Sequence, residues 1–547
     1  MLTGLRTENN HGARKVPARW HVRTGARRGC GGRTQVVSPA YYLDVTSIRE
    51  QALAPLSRAD AEHLLPALSV GRGTLERRVL RARCLTCVES FDVAWAELSA
   101  CNGQVKDPLL AARIAVDLVH LAYYLVRWDE VEPLARQAAR QAAADPLLLA
   151  ELRLALSLNR TSANEITAAL TEARWGEDAL AAAPRGRAKD LVSARLQRQL
   201  AHLLAHTGDY VGSETAADAT ARFAVRVGDP WESAWATYTG GFAKWYAGKN
   251  DGAVEAFAKA EEGLRSYGTS AWRYTLLCLA RARMERGEIA TGDRLSRQSA
   301  AGAEEDIAHI ALLRGEAEVA ERILARAPKG YPADEHFRDF VRAIVKGRRG
   351  DPRGAVRLLD DVAKEFESRG MGHWALGASV HAAFNREAVV RGGGSARAVQ
   401  LVRDIGVRGG EGFAYYLPDV AAWLGRAAEV DAEARRVARV LKVRGDAAVR
   451  LAKSDSASAV AASALDEATF YLRAVGLTWR EIGVLHEIEK LQTEQTQLER
   501  SELAKRLELS PETLRVHITR IRAKLDVGDR RGDAVLLEAA LARRPVA

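Results

Sequence analysis

Gly248-Lys249-Asn250-Asp251-Gly252-Ala253-Val254-Glu255-Ala256-Phe257-Ala258-Lys259-Ala260 sets a turn glycine, a small residue five positions on, a bulky one four later and a small one three after that. Gly241 and Trp245 stand just upstream. The spacing is helical, so the small and bulky residues share one face. A glycine permits a tight turn between two helices, the small residues let them approach closely, and the bulky residue fills the gap between neighbouring pairs.

The arrangement recurs. Gly315, Ala320, Leu324 and Ala327 repeat it, as do Gly350, Ala355, Leu359 and Val362, and Gly393, Ala398, Val402 and Ile405; Gly208 and Gly287 head weaker copies. This resembles the tetratricopeptide repeat in a degenerate form, its glycines irregular about the 34-residue period. An all-α chain is expected, with a tetratricopeptide-like α-solenoid over residues 45–441. Trp235, Trp245 and Tyr246 are candidates for the lining of a binding surface, although the repeat core is the commoner place for such residues.

Composition agrees. At 547 residues the chain is too long for one core, and 47% hydrophobic residues with few Phe favour helices. The net charge of +10 is concentrated in residues 1–40, where eight Lys/Arg face only Glu8. Residues 1–44 read as a basic, Gly-rich disordered tail. No export signal is legible, and the most apolar run, about Ala112 to Trp128, is broken by Arg113, Asp117 and Arg127. A cytoplasmic protein that does not enter a membrane is expected. Five cysteines, an odd number, make no disulfide framework, and Cys84-Leu85-Thr86-Cys87 with Cys101 lacks a fourth metal ligand.

No catalytic constellation stands out. His202-Leu203-Leu204-Ala205-His206 lacks the glutamate of a zinc-peptidase helix, and Gly32-Arg33-Thr34 has Arg27 where a phosphate-binding loop needs its first glycine. The chain is expected to be no enzyme and to carry no cofactor or metal.

Residues 442–465 turn rich in Ala and Ser and read as a linker to a separate module, 466–547. There Thr478-Trp479-Arg480-Glu481 forms a capping box before a helix carrying Ile482, Leu485 and Ile488. Ser501 to Leu507 is a second short helix. Ser510-Pro511 opens a third, with Ser as cap and Pro tolerated at the first position. Leu514, Ile518, Ile521 and Leu525 recur at helical spacing as its buried face, and Arg515, Val516, Thr519, Arg520, Arg522 and Lys524 occupy the others.

The ordered string Leu477-Thr478-x-Arg480-Glu481, then Leu503-Ala504-x-x-Leu507-x-Leu509-Ser510-Pro511-x-Thr513-Leu514-Arg515-Val516-His517-Ile518-x-x-Ile521-x-x-Lys524-Leu525, resembles the LuxR-type helix-turn-helix DNA-binding domain over about 70 residues. The resemblance implies a recognition helix from Ser510 to Leu525. Arg515, Val516 and Thr519 would read bases, while Ser510, Thr513, Arg520, Arg522, Lys524 and Arg530 would lie near phosphates. Leu537 and Leu541 of a last helix would offer a homodimer contact. The chain departs from the pattern in a longer Leu485–Leu503 interval, in Leu514 for the usual Val, and in a join one residue longer after Val527.

A repeat body ahead of such a domain is similar to MalT-like regulators, without their ATPase module. The implied function is a sequence-specific transcriptional regulator of double-stranded DNA. Its repeats would receive a signal from RNA polymerase, another protein or a small-molecule inducer. The alternative is a protein-interaction scaffold that does not bind DNA, which the near-zero net charge of residues 466–547 keeps open.

Overall fold

The computed structural model describes residues 45–69, 73–299, 304–326, 332–457, 472, 477, 479–493, 499–507, 509–527 and 534–541. The tail expected over 1–44 lies outside them. Every regular element among the described residues is helical. Several helices start where the sequence writes Asp-Pro: Asp107, Asp145, Asp229 and Asp351 each accept backbone N–H groups of the first turn, with Pro at its first position.

The chain divides after Ala144, a boundary that neither composition nor linker chemistry marks in the sequence. The N-terminal unit holds α1 (Val45–Leu53), α2 (Arg58–Leu68), α3 (Leu75–Cys87), α4 (Phe91–Asn102), α5 (Pro108–Leu125) and α6 (Val131–Ala142). Ile48, Leu80, Leu98, Ile114 and Leu118 share its core. Arg83 is buried there, with Nε 2.8 Å from Asp117 Oδ2 and Nη1 donating to the carbonyls of Ala52 and Ala54. α5 is long and apolar enough to cross a membrane by length and composition, but 72% of it is covered by protein. Cys84 and Cys101 are buried in this core, which pushes the Cys84 thiol up to about 12.

The second unit begins with α7 (Pro146–Ser162), α8 (Ile166–Ala182), α9 (Arg187–Thr207), α10 (Tyr210–Val227), α11 (Pro230–Tyr246), α12 (Asn250–Arg265), α13 (Ser270–Glu285), α14 (Ile289–Ser299), α15 (Glu304–Leu313) and α16 (Ala317–Arg326). It continues with α17 (Pro332–Arg348), α18 (Pro352–Ser368), α19 (Gly372–Val389), α20 (Ser395–Val407), α21 (Pro418–Ala428) and α22 (Arg435–Ala457). Consecutive helices pair as the repeat pattern implies. Ala253, Phe257, Ala260, Ala320, Leu324, Ala355, Leu359, Val362, Ala398, Val402 and Ile405 are all buried, and Ala327 lies outside the described residues. Gly208 and Gly248 adopt φ of +83° and +74°, which a side chain would strain. In the last copy the left-handed residue is Gly392, one before the glycine singled out in the sequence.

The first helices of successive pairs touch one another in order, α9, α11, α13, α15, α17 and α19, and α19 returns to α9. Six inner helices thus close a ring instead of forming an open solenoid face. At the closure Tyr210 Oη and His373 Nδ1 stand 3.0 Å apart, Trp374 Nε1 donates to His206 Nδ1 at 2.9 Å, and Arg408 Nη1 donates to the Thr207 carbonyl. One continuous apolar cluster fills the ring. His202 and His206 sit in it against Phe242 and Tyr246. Trp245 and Tyr246 are fully buried in it, so they line no open surface.

The linker read from residue 442 is helical as far as Ala457, because α22 packs on α21 and α14. Leu441 and Ala448 are buried, and Arg444 donates to the Gly248 carbonyl at 2.9 Å. Alanine is the best helix former, so an Ala-rich stretch with one apolar face continues a helix where packing supports it.

Candidate nucleic-acid interface

The C-terminal residues have a core of their own, which Leu472, Leu477, Ile482, Leu485, Ile488, Leu503, Leu514, Ile518, Ile521, Leu525 and Leu536 share. It is built by α23 (Trp479–Thr493), α24 (Arg500–Arg506), α25 (Pro511–Leu525) and α26 (Ala534–Leu541). The chain leaves α24 through Leu507 and enters α25 at Ser510, with Leu509 N–H donating to the Ala504 carbonyl at 2.9 Å. Ala504 is buried at the crossing, where a larger side chain would hold the two helices apart.

Ser510 caps α25 in extended backbone geometry: its Oγ accepts from Thr513 N–H at 3.1 Å and lies 2.8 Å from Thr513 Oγ1. Leu514, Ile518, Ile521 and Leu525 are buried, so the spacing read from the sequence does anchor one face. The capping Thr478 and Arg530 lie outside the described residues.

The opposite face is open. Arg515 is nearly three-quarters exposed, 3.8 Å from Glu512, and Val516 is exposed at 45%. Thr519 is exposed, its hydroxyl donating to the Arg515 carbonyl, and Arg520 is exposed beside Val516. A depression of about 470 Å³ is lined by Arg500, Arg515, Ile518, Thr519, Arg522, Ala523 and Asp526. It brings Arg515, Thr519 and Arg522 together and adds Arg500 from α24, which no spacing in the sequence marks.

Two candidate residues have other positions than the resemblance implied. Lys524 turns toward the module: its Nζ is 2.6 Å from Oε2 of Glu481, and that carboxylate is almost fully buried. A lysine at this position of the helix lies one turn beyond the exposed arginines, on the side facing α23. Leu537 packs inside the module's core with Leu536 and Ala540, so it offers no dimer surface; the side chain of Leu541 is outside the described residues. Arg506 likewise pairs within the module, with Glu487 and Glu502.

No protein family matches the sequence, and no curated protein matches it. Among solved structures it is similar to a Rap protein in complex with Competence and Sporulation Factor, with TM-score 0.37 and 9% identity, over 70% of this chain and 99% of that one. The apo form of RapI gives TM-score 0.35 and 14% identity, over 64% and 96%.

Proposed function

We propose that the chain is a DNA-binding transcriptional regulator of the LuxR type, with α25 as its recognition helix and the repeat body as the part that receives a signal. The observation that carries this is the division of α25 into two faces. Four buried aliphatic residues fix the helix, while Arg515, Val516, Thr519 and Arg520 present donors and a methyl surface outward. That face suits a major groove, where Arg pairs with guanine and small apolar groups meet the thymine methyl. Arg500 and Arg522 line the depression beside it, and phosphates are the partners this reading gives them. RNA polymerase, another protein or a small molecule acting on the repeats would supply the signal, in a cytoplasmic setting and without cofactor or catalysis.

A second reading, a protein-interaction scaffold without DNA binding, draws on the engagement of Lys524 and Arg506 by carboxylates of their own module. One titration separates the two. If Arg500, Arg520 and Arg522 each neutralise a phosphate, the logarithmic salt slope is about −2.7 per module, so affinity drops about 40-fold between 50 and 200 mM salt. Binding of the full chain to duplex DNA that is absent at 50 mM salt, or indifferent to salt, leaves the scaffold reading.

A further inference from the structure

Between α20 and α21 the chain runs without helix from Gly409 to Leu417 and enters the ring of inner helices. Gly412, Phe413, Ala414, Tyr415, Tyr416 and Leu417 are all buried there. The segment is received as a bound peptide would be. Glu411 N–H donates to the Ala247 carbonyl at 2.7 Å, Tyr415 N–H donates to Glu285 Oε1 at 3.0 Å, and His381 Nε2 stands 3.3 Å from the Tyr415 carbonyl. The Tyr415 hydroxyl donates to Asp306, which Arg281 Nη1 holds at 2.7 Å. The Tyr415 ring lies between the Arg281 guanidinium, 3.9 Å from its centroid, and His309, stacked at 4.1 Å.

We propose that this segment is an internal ligand: the ring is a binding site for an extended tyrosine-bearing peptide, which the chain's own loop occupies and an effector peptide takes over by displacing it.

Three observations support this over a merely structural filling. A filler would be dry and apolar, since a buried ion pair is rarely worth more than apolar packing of the same volume. Here backbone N–H, backbone carbonyl, hydroxyl and ring are each met by a polar side chain, from α13, α15 and α19. The segment is also under backbone strain, for Tyr415 has φ of +69°, a left-handed conformation that bulky residues rarely adopt. Finally, hydrogen-bonding capacity remains around the ring: Nε and Nη2 of Arg281 and both ring nitrogens of His309 are buried and make no hydrogen bond among the described residues. A peptide bringing an acceptor such as a carboxylate beside its tyrosyl ring would use the Arg281 donors, a gain the loop does not have.

The proposal rests on the repeat body being the signal-receiving part, but its test reads binding to the body alone. A fluorescent peptide with the sequence of residues 411–418 is titrated into the full chain by anisotropy. The Tyr415→Gly variant, which empties the ring position and relieves the strain, should bind at least ten-fold tighter than the unaltered chain. Adding Arg281→Met, or using a peptide with Phe in place of Tyr415, should remove at least ten-fold of that affinity. A Tyr415→Gly chain that keeps its helical circular dichroism yet binds no better than the unaltered one overturns the proposal. Hydrogen exchange on the unaltered chain covers a variant that does not fold: amides of 412–417 should exchange faster than those of α13 and α15 and accelerate with excess peptide. Exchange only in step with those helices refutes it. A failure to bind DNA would alter none of these results.

Discussion

Acidification from pH 7.5 to 5.5 should loosen the repeat body by an amount its histidines set. His202, His206, His309, His373 and His381 are all buried in the ring, and burial holds each imidazole below its ordinary value near 6.5. His202 and His373 fall to about 3 and His381 to about 4, while His206 and His309 fall well below the ordinary range. A base with a depressed folded value contributes stability fully above its unfolded value, and this is lost as pH falls beneath it, because the unfolded chain then takes protons the folded one refuses. At pH 5.5 each imidazole is one unit below 6.5, so five together remove about 7 kcal/mol. Glu285 opposes them. Burial raises it to about 7 against the pull of three N–H donors, so the folded chain holds its proton more tightly. Its contribution is fully present below pH 4.5, is lost as pH rises through 7, and returns about 2 kcal/mol over the interval. The net loss is on the order of 5 kcal/mol, and unfolding at pH 5.5 should take up about four protons. Calorimetry in buffers of different ionisation enthalpy reads that uptake without assuming a two-state transition. Unfolding at pH 5.5 that takes up one proton or none would mean that the imidazoles are hydrated or charged in the folded chain, and the reasoning fails.

Two further outcomes concern the C-terminal module. Lys524→Met takes the cation from the buried Glu481 carboxylate; with the ammonium about a third exposed, the loss should fall below the usual 3–5 kcal/mol, at about 2. Amides of residues 514–525 in the full chain would then exchange about 30-fold faster, and adding Glu481→Gln should recover most of it. Unchanged exchange with a DNA salt slope smaller by about 0.9 would instead place Lys524 on a phosphate. Arg515→Ala should weaken the preferred DNA site by about 1–3 kcal/mol and flatten sequence preference, whereas Arg520→Ala should weaken all sequences alike, as competition binding with random duplex will read. Equal effects of the two would mean that the reading face is misplaced.

What was legible in the sequence follows the range of the interactions involved. Turn glycines, the small and bulky residues of each pair and the Ser510-Pro511 cap act within one or two turns, and they appear in the structure at or within one residue of where they were read. The burial of Leu514, Ile518, Ile521 and Leu525 follows from spacing alone. Closure of the ring does not, because it depends on pairings such as Tyr210 with His373, over 160 residues apart. Phe413-Ala414-Tyr415-Tyr416-Leu417 has no periodicity and reads as an apolar connection, so its insertion was invisible. Lys524 looked like its basic neighbours until α23 placed Glu481 beside it. Ala and Ser suit a linker and a helix equally, so composition does not decide the conformation of residues 442–457, whereas the partners of α22 do.

Those partners bear on how a signal could leave the ring. Leu417, the last residue of the inserted segment, is the residue from which α21 starts, and α21 packs along α22. On its other side α22 is tied by Arg444 to the Gly248 carbonyl and to Glu411 at the head of the same segment. A β-carbon on Gly248 would stand 2.4 Å from the backbone of Gly412, so turn and segment fit together with no room between them. The loop cannot leave while these contacts all hold. An effector that empties the ring therefore would have to shift α21 and α22 as well, and among the described residues α22 is the last helix of the body before the C-terminal residues. Coupling of that kind needs two discrete packings with a modest gap between them. Within the apolar ring the polar groups Arg281, Glu285 and Asp306 that meet the segment bear on the cost of emptying it: a wholly apolar plug would leave them nothing to bond, whereas a second peptide or water in the loop's place would, on the proposal above, meet the same groups.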